Sequence, residues 1–328
     1  MSESSTVVQC TSSWPGLSGI KRLVVFGASY CAIGDVPLGT ERSATLPLGI
    51  AYPGDGCYTD RDLDTSAPRP NWIGHLLARY WPEPRFRPAT ITAVDSDGRG
   101  VEKPGDESSL PQDPAYMRDP LLVFDYAHGG HTVPQVLRQI SEQFKAELAP
   151  WRQDIAGAVK GENPWRSWTS TNALFVTWVG INDCASMSSV DAIPERVDQL
   201  FAGQIDLYAS GARNFLLVDV PHIDRSPAVR RTRAPYVAPR YRTWNATLLS
   251  RARAFATAHP DATVLLFSSA RTIDGILDEP DIYGLEEPVG PAYGPIWADQ
   301  LHPTSAVHDV LARDMAEFLS AIPVTDNL

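Results

Sequence analysis

The chain has 328 residues, 43% of them hydrophobic and 20% charged, which is enough apolar material for one large α/β domain with a full core. A formal net charge of -11 and an isoelectric point near 5.1 argue against nucleic acid as a partner, because binding a phosphate backbone draws on clustered Lys and Arg. No apolar run is long enough to span a bilayer.

The first residues hold only the apolar pair Val7-Val8 before a polar run, so no secretory h-region is visible. A cytoplasmic protein is the default expectation, and a secreted one if a leader precedes this sequence. Residues 1–20 are expected to be a flexible segment, 21–322 one domain with a long loop insertion at about 35–120, and 323–328 a tail. The first strand is predicted at 23–26, a nearly continuous apolar run of the kind buried on both faces of a parallel sheet. Just past it, Gly27-Ala28-Ser29-Tyr30 places a serine where open α/β sheets put their ligand crevices. Ser29 can equally cap a following helix. A phosphate-cradling loop fits poorly, since Gly27 and Gly34 lack the middle glycine and the Lys of known fingerprints.

Within the insertion, 71–80 reads as a helix through Trp72, Leu76, Leu77 and Tyr80, and the Pro- and Gly-rich remainder reads as surface loop. A second strand at 121–126 runs into Asp125-Tyr126-Ala127-His128-Gly129-Gly130-His131, where a glycine N–H can serve as a donor. The apolar stripe Val133, Val136, Leu137, Ile140 and Phe144 predicts a helix over 132–148. A third strand at 174–179 ends in Gly180-Ile181-Asn182-Asp183. That asparagine can donate its amide to a developing oxyanion or simply close the strand as an Asn-Asp turn.

A fourth strand is predicted at 215–220, followed by a basic, proline-interrupted stretch, 225–242, that reads as a loop. Asn245-Ala246-Thr247 is a formal glycosylation sequon. A fifth strand at 263–267 precedes Asp299-Gln300-Leu301-His302, whose spacing lets the carboxylate accept from one imidazole nitrogen and leave the other free for a proton. The same spacing also arises from a helix N-terminal acid beside a surface histidine. Val307, Val310, Leu311, Met315, Phe318 and Leu319 form the apolar stripe of a last helix. Five strands alternating with helices predict a three-layer α/β/α fold, doubly wound and mainly parallel. Cys10, Cys31, Cys57 and Cys184 form no CxxC pair, and neither a metal nor a cofactor is expected.

Taken together and in order, these segments resemble the SGNH/GDSL hydrolase family over nearly the whole chain, 23–319. The family's four blocks correspond to Gly27-Ala28-Ser29, Gly130, Gly180-Ile181-Asn182-Asp183 and Asp299-Gln300-Leu301-His302. Val218-Asp219-Val220-Pro221-His222-Ile223-Asp224-Arg225-Ser226-Pro227 is similar to fungal members near the acetylesterase branch. The resemblance implies a flavodoxin-like SGNH fold with Ser29 as nucleophile, His302 as base and Asp299 as its orienter. It also implies an oxyanion hole made of the Ser29 and Gly130 N–H groups and the Asn182 side chain. Two departures stand out: Ala28 and Ala32 replace acids that in the family generally fix the nucleophile turn, and His131 follows Gly130 where a small residue is usual.

The activity expected is hydrolysis of a small acyl ester, such as an acetyl group on a carbohydrate or small metabolite, through an acyl-enzyme. Two alternatives stand beside it: an acyltransferase passing the same acyl group to an alcohol, and a non-catalytic binding protein that kept the fold. An α/β-hydrolase elbow fits less well, since Ser29 follows the first strand and not a mid-chain one. Cys31, two residues on, is expected to face into a following helix. Tyr30, Trp72, Tyr126, Tyr283 and Tyr293 are candidate wall aromatics that also fit core packing.

Overall fold

Eight strands occur among the described residues: β1 (Thr6–Gln9), β2 (Arg22–Gly27), the short antiparallel pair β3 (Ala93–Val94) and β4 (Gly100–Val101), β5 (Leu122–Asp125), β6 (Ala173–Trp178), β7 (Asn214–Val218) and β8 (Thr263–Phe267). The computed structural model describes residues 4–62, 66–88, 93–94, 100–101, 112–155, 163–285 and 294–324. Six strands form one sheet in the order β1-β8-β7-β6-β2-β5. The five predicted strands are its parallel part, in the flavodoxin-like order 2-1-3-4-5 when counted along the chain. Every residue of these five is buried, which explains their unbroken hydrophobicity.

The sixth strand corrects the expectation of five strands behind a flexible amino terminus. Thr6–Gln9 pairs antiparallel with β8, with a bulge between Val7 and Gln9. Three β-branched residues, Thr6, Val7 and Val8, suffice for a short edge strand, and the bulge protects its open side from further pairing.

Helices are α1 (Trp72–His75), running into a π-helical turn (Leu76–Tyr80), then α2 (Pro114–Arg118) and α3 (Val133–Arg138). A second π turn (Gln139–Phe144) leads to α4 (Lys145–Glu147), followed by α5 (Ile181–Ser186), α6 (Ile193–Ala209), α7 (Ala234–Ala258), α8 (Ser269–Asp278) and α9 (Ser305–Ser320). Strand alternation sorts them onto two faces. Phe26, Phe175 and Phe215 share one face and meet Phe144 and, from α7, Phe255. Trp178 and Phe267 point the other way, to Trp72 of α1 and Phe318 of α9.

Helix α7 overturns the loop reading of 225–242 from Ala234 onward, while 226–233 is loop as expected. Pro235 lies in its first turn, where the missing N–H is unpaired in any case, and Pro239 removes a single further bond. The sequon asparagine lies on its buried face: Asn245 accepts from Val220 N at 2.9 Å and donates to Val220 O at 2.9 Å, so it is closed to glycosylation in the folded protein.

The insertion is not merely draped over the surface. Arg42 enters the interior, donating to Val123 O at 2.7 Å, pairing with Glu147 at 3.3 Å and lying 4.1 Å over the Phe124 ring. The far side of the same carboxyl accepts from Tyr126 at 2.9 Å. This closed set of bonds satisfies both buried charges and pins the loop to the end of β5.

Candidate active site

Chain order reverses direction around β2: its outgoing connection leads to β5 on one side, while β6 lies on the other and leads away to β7. The crevice beyond the carboxyl ends of β2 and β6 is therefore the place where loops diverge and a ligand fits. Ser29 follows β2 there, Gly180 and Asn182 follow β6, and Gly130 follows β5. The structure thus collects the sequence-predicted residues at one end of the sheet.

Ser29 is buried, 6% exposed, and its Oγ lies 2.9 Å from His302 Nε2. No helix begins after it. Residues 28–31 form a turn in which the Cys31 and Ala32 amides both donate to Ala28 O, at 2.9 and 3.1 Å. Cys31 faces the core and is fully buried, and that burial, with the nearby Asp125 charge, holds its thiol well above the ordinary range. A buried, protonated thiol is a poor competitor to the serine.

His302 sits in a small loop closed by the Ala298 N to His302 O bond of 2.8 Å and by the Trp297–Pro303 bridge. One oxygen of Asp299 accepts from the Leu301 and His302 amides, both at 2.7 Å, and the other meets His302 Nδ1 at 2.8 Å. The carboxylate orients the imidazole and assigns the Nδ1–H tautomer, leaving the Nε2 lone pair for Ser29 Oγ–H. Partial burial opposes the Asp299 charge, but the bonds from the His302 amide, the His302 ring and the Leu301 amide together hold its carboxyl below the usual carboxylate range.

On the opposite side, Asn182 donates one amide hydrogen to His131 O at 2.9 Å, and the second remains available. Gly180, with φ of 128°, is the residue just before α5, and a Cβ there would lie 2.2 Å from the Trp244 ring. Gly130 has φ of 78° and open space around it, so here glycine serves the backbone direction and not a packing need. Asp183 accepts from the Val133 amide with both oxygens at 3.2 Å, tying α5 to the start of α3. Burial raises its carboxyl to about 6 despite that bond and the nearby Arg196.

Four contributors escaped the sequence reading. Asp125, at the end of β5, accepts from Ile33 N at 3.1 Å and Ala127 N at 3.0 Å. Asn71 donates to Cys31 O and Ala32 O at 2.9 and 3.1 Å. Gln139 binds both polar groups of Gly27, accepting at 3.0 Å and donating at 2.9 Å. The turn at Ser29, with alanines at 28 and 32, is thus held by side chains from three other segments. Tyr58, from the insertion, lies with its ring 4.9 Å from that of His302 and stays 43% exposed, so it walls the mouth of the crevice. Of the aromatics weighed from sequence, Tyr30, Trp72 and Tyr126 are core, Tyr283 packs near Arg313, and Tyr293 lies outside the described residues.

A cleft of about 970 Å³ opens elsewhere, beyond the carboxyl ends of β7 and β8, lined by His222, Arg242, Ser268, Arg271, Asp274 and Tyr283 among others. None of Ser29, Gly130, Asn182, Asp299 and His302 lines it. Donor and acceptor geometry, not cleft size, marks the crevice at Ser29.

A family model described as GDSL-like lipase/acylhydrolase matches residues 23–315. The chain belongs to this family. As a GDSL-type protein it is an ester-hydrolysing enzyme. It is 24% identical over 311 residues to an acetylesterase of Thermothelomyces thermophilus, covering 90% of this chain and 87% of that protein. Among solved structures, it is similar to an acetylxylan esterase from Geobacillus stearothermophilus, at 11% identity, 94% and 97% coverage and a TM-score of 0.46. It is also similar to a lipolytic G-D-S-L family protein from Veillonella parvula, at 12% identity, 92% and 99% coverage and a TM-score of 0.43.

Proposed function

We propose that this GDSL enzyme hydrolyses a small acyl ester, acetyl being the favoured group, of a carbohydrate or small metabolite through a Ser29 acyl-enzyme. The observation that carries the reading is the relay Asp299–His302–Ser29, with contacts of 2.8 and 2.9 Å. Ser29 Oγ attacks the ester carbonyl as His302 Nε2 takes its proton. The tetrahedral oxyanion is met by the Ser29 and Gly130 backbone N–H groups and the second amide hydrogen of Asn182. As the intermediate collapses, His302 passes the proton to the leaving alcohol. Water, deprotonated by the same nitrogen, then releases the acid and restores Ser29. The acetyl preference draws on the acetylesterase relative.

The test is hydrolysis of p-nitrophenyl esters from acetate to octanoate, with fluorophosphonate labelling in parallel. Acetate turnover should exceed octanoate turnover, and Ser29→Ala should abolish both hydrolysis and labelling. Undiminished activity in that variant would overturn the assignment of the nucleophile.

A further inference from the structure

We propose that Gln139 is the positioning residue of the oxyanion hole: its one buried amide locks the end of the nucleophile strand, the ring of His131 and, through residue 131, both Gly130 and Asn182 into a single register. This rests on the reading of Ser29, Gly130 and Asn182 given above, but it concerns a residue outside all four family blocks.

The Gln139 side chain is buried, 2% exposed, and every hydrogen-bonding position facing this cluster is used. Its oxygen accepts from Gly27 N at 3.0 Å, and its nitrogen donates to Gly27 O at 2.9 Å and meets His131 Nδ1 at 2.9 Å. The orientation of an amide is often ambiguous, since its oxygen and nitrogen look alike. Here the backbone of Gly27 decides it. An N–H requires the oxygen opposite and a carbonyl requires the nitrogen, so a flipped amide would break both bonds at once.

A consequence follows for the histidine. With the amide orientation set, a second N–H points at His131 Nδ1, which must present its lone pair. The ring is therefore the neutral tautomer protonated on Nε2, opposite to the tautomer that Asp299 imposes on His302. Burial and the neighbouring His128 ring both work against a charge on His131 and hold it below the ordinary histidine range.

Continuity does the rest. Gly27 is two residues before Ser29, and His131 is one residue after Gly130. The His131 carbonyl accepts from Asn182 Nδ2 at 2.9 Å. Gln139 thus touches the first block directly and is linked through residue 131 to the second and third. It lies at the first position of the π turn Gln139–Phe144, where the wider turn shifts the helix phase. Such turns recur at functional sites because they re-aim single side chains. This also gives His131 a purpose: a small residue in its place would leave one Gln139 donor buried without a partner.

The test compares the unaltered enzyme with Gln139→Met, which keeps volume and loses all three bonds, and Gln139→Glu, which keeps an acceptor for Gly27 N but has only oxygen to offer His131. Side-chain ¹⁵N spectra near neutral pH should show His131 unprotonated at Nδ1 in the unaltered enzyme, mixed tautomers in Gln139→Met and a proton at Nδ1 in Gln139→Glu. With p-nitrophenyl acetate, Gln139→Met should lose about tenfold to a hundredfold in kcat with KM changed by less than about threefold, as expected when donors are misplaced by a fraction of an ångström. A protonated Nδ1 in the unaltered enzyme overturns the proposal, as does a Gln139→Met kcat within about twofold of it. Should Gln139→Met not fold, the spectra of the other two proteins decide. The broader reading fails separately, by absence of activity or of Ser29 labelling in the unaltered enzyme, and the tautomer result stands apart from that outcome.

Discussion

At the scale of single residues, the site divides into groups that meet substrate and groups that hold them. In the proposed mechanism Asn182 is of the first kind: one amide hydrogen is committed to His131 O, and only the other can meet an oxyanion. Asn182→Ala should lower kcat for p-nitrophenyl acetate by about 100- to 1000-fold while leaving the unfolding midpoint within a few degrees, since the side chain is half-buried and makes one structural bond. A loss under about tenfold would remove it from the oxyanion hole. Residues of this first kind were legible in the sequence because each sits in a short block at a strand end or just before the last helix, where local composition and position coincide. Those of the second kind were not. Gln139 acts 112 residues from Gly27, Asp125 acts 92 from Ile33, and Asn71 acts 40 from Cys31, each upon backbone groups that leave no trace in side-chain pattern. Hence the replacement of acids at Ala28 and Ala32 looked like a loss from the sequence. In the structure the turn is anchored by Asp125, Asn71 and Gln139.

At the scale of elements, the parallel strands were legible because burial on both faces demands an unbroken apolar run. Strand β1 was not, being four residues long and only partly buried. Helix α7 is hidden in the sequence for a different reason: Pro235, Pro239 and the surrounding arginines carry a loop composition, although Ala238, Tyr241, Asn245, Leu248, Ala252 and Phe255 repeat at helical spacing and form its buried stripe. The exposed Pro239 denies the carbonyl of residue 235 a partner and crowds it with its ring. Pro239→Ala should therefore stabilise the protein by about 1 to 3 kcal/mol in urea unfolding, with activity unchanged. An equal or lower stability would mean that the ring makes packing contacts worth more than the restored bond.

For the whole molecule, the doubly wound order places four loops at one sheet end, and it also buries acids where those loops begin. Asp125 is the extreme case: burial raises its carboxyl to about 8, although the Ala127 and Ile33 amides and Arg42 all pull it down. Asp183, raised to about 6, follows the same rule. The sign of the linkage is determined by these directions. Between the ordinary carboxylate range and about 8 the native state holds a proton on Asp125 that the unfolded chain has released, so stability must fall as pH rises through that window. Asp183 contributes only to its lower part. Asp154, lowered to about 2 by its bonds to Arg152 and Ser170 against the effect of burial, acts in the opposite sense, and only in acid. Urea unfolding at pH 6, 7, 8 and 9 should accordingly show stability falling from pH 6 to about 8 and levelling off above it. In Asp125→Asn, whose side chain carries no titrating proton, the slope over that range should flatten, with lower stability at pH 6 because an amide nitrogen now faces one of the two backbone N–H groups. A slope as steep as in the unaltered protein would show that Asp125 stays ionised in the fold, held by Ile33 and Ala127 strongly enough to outweigh its burial.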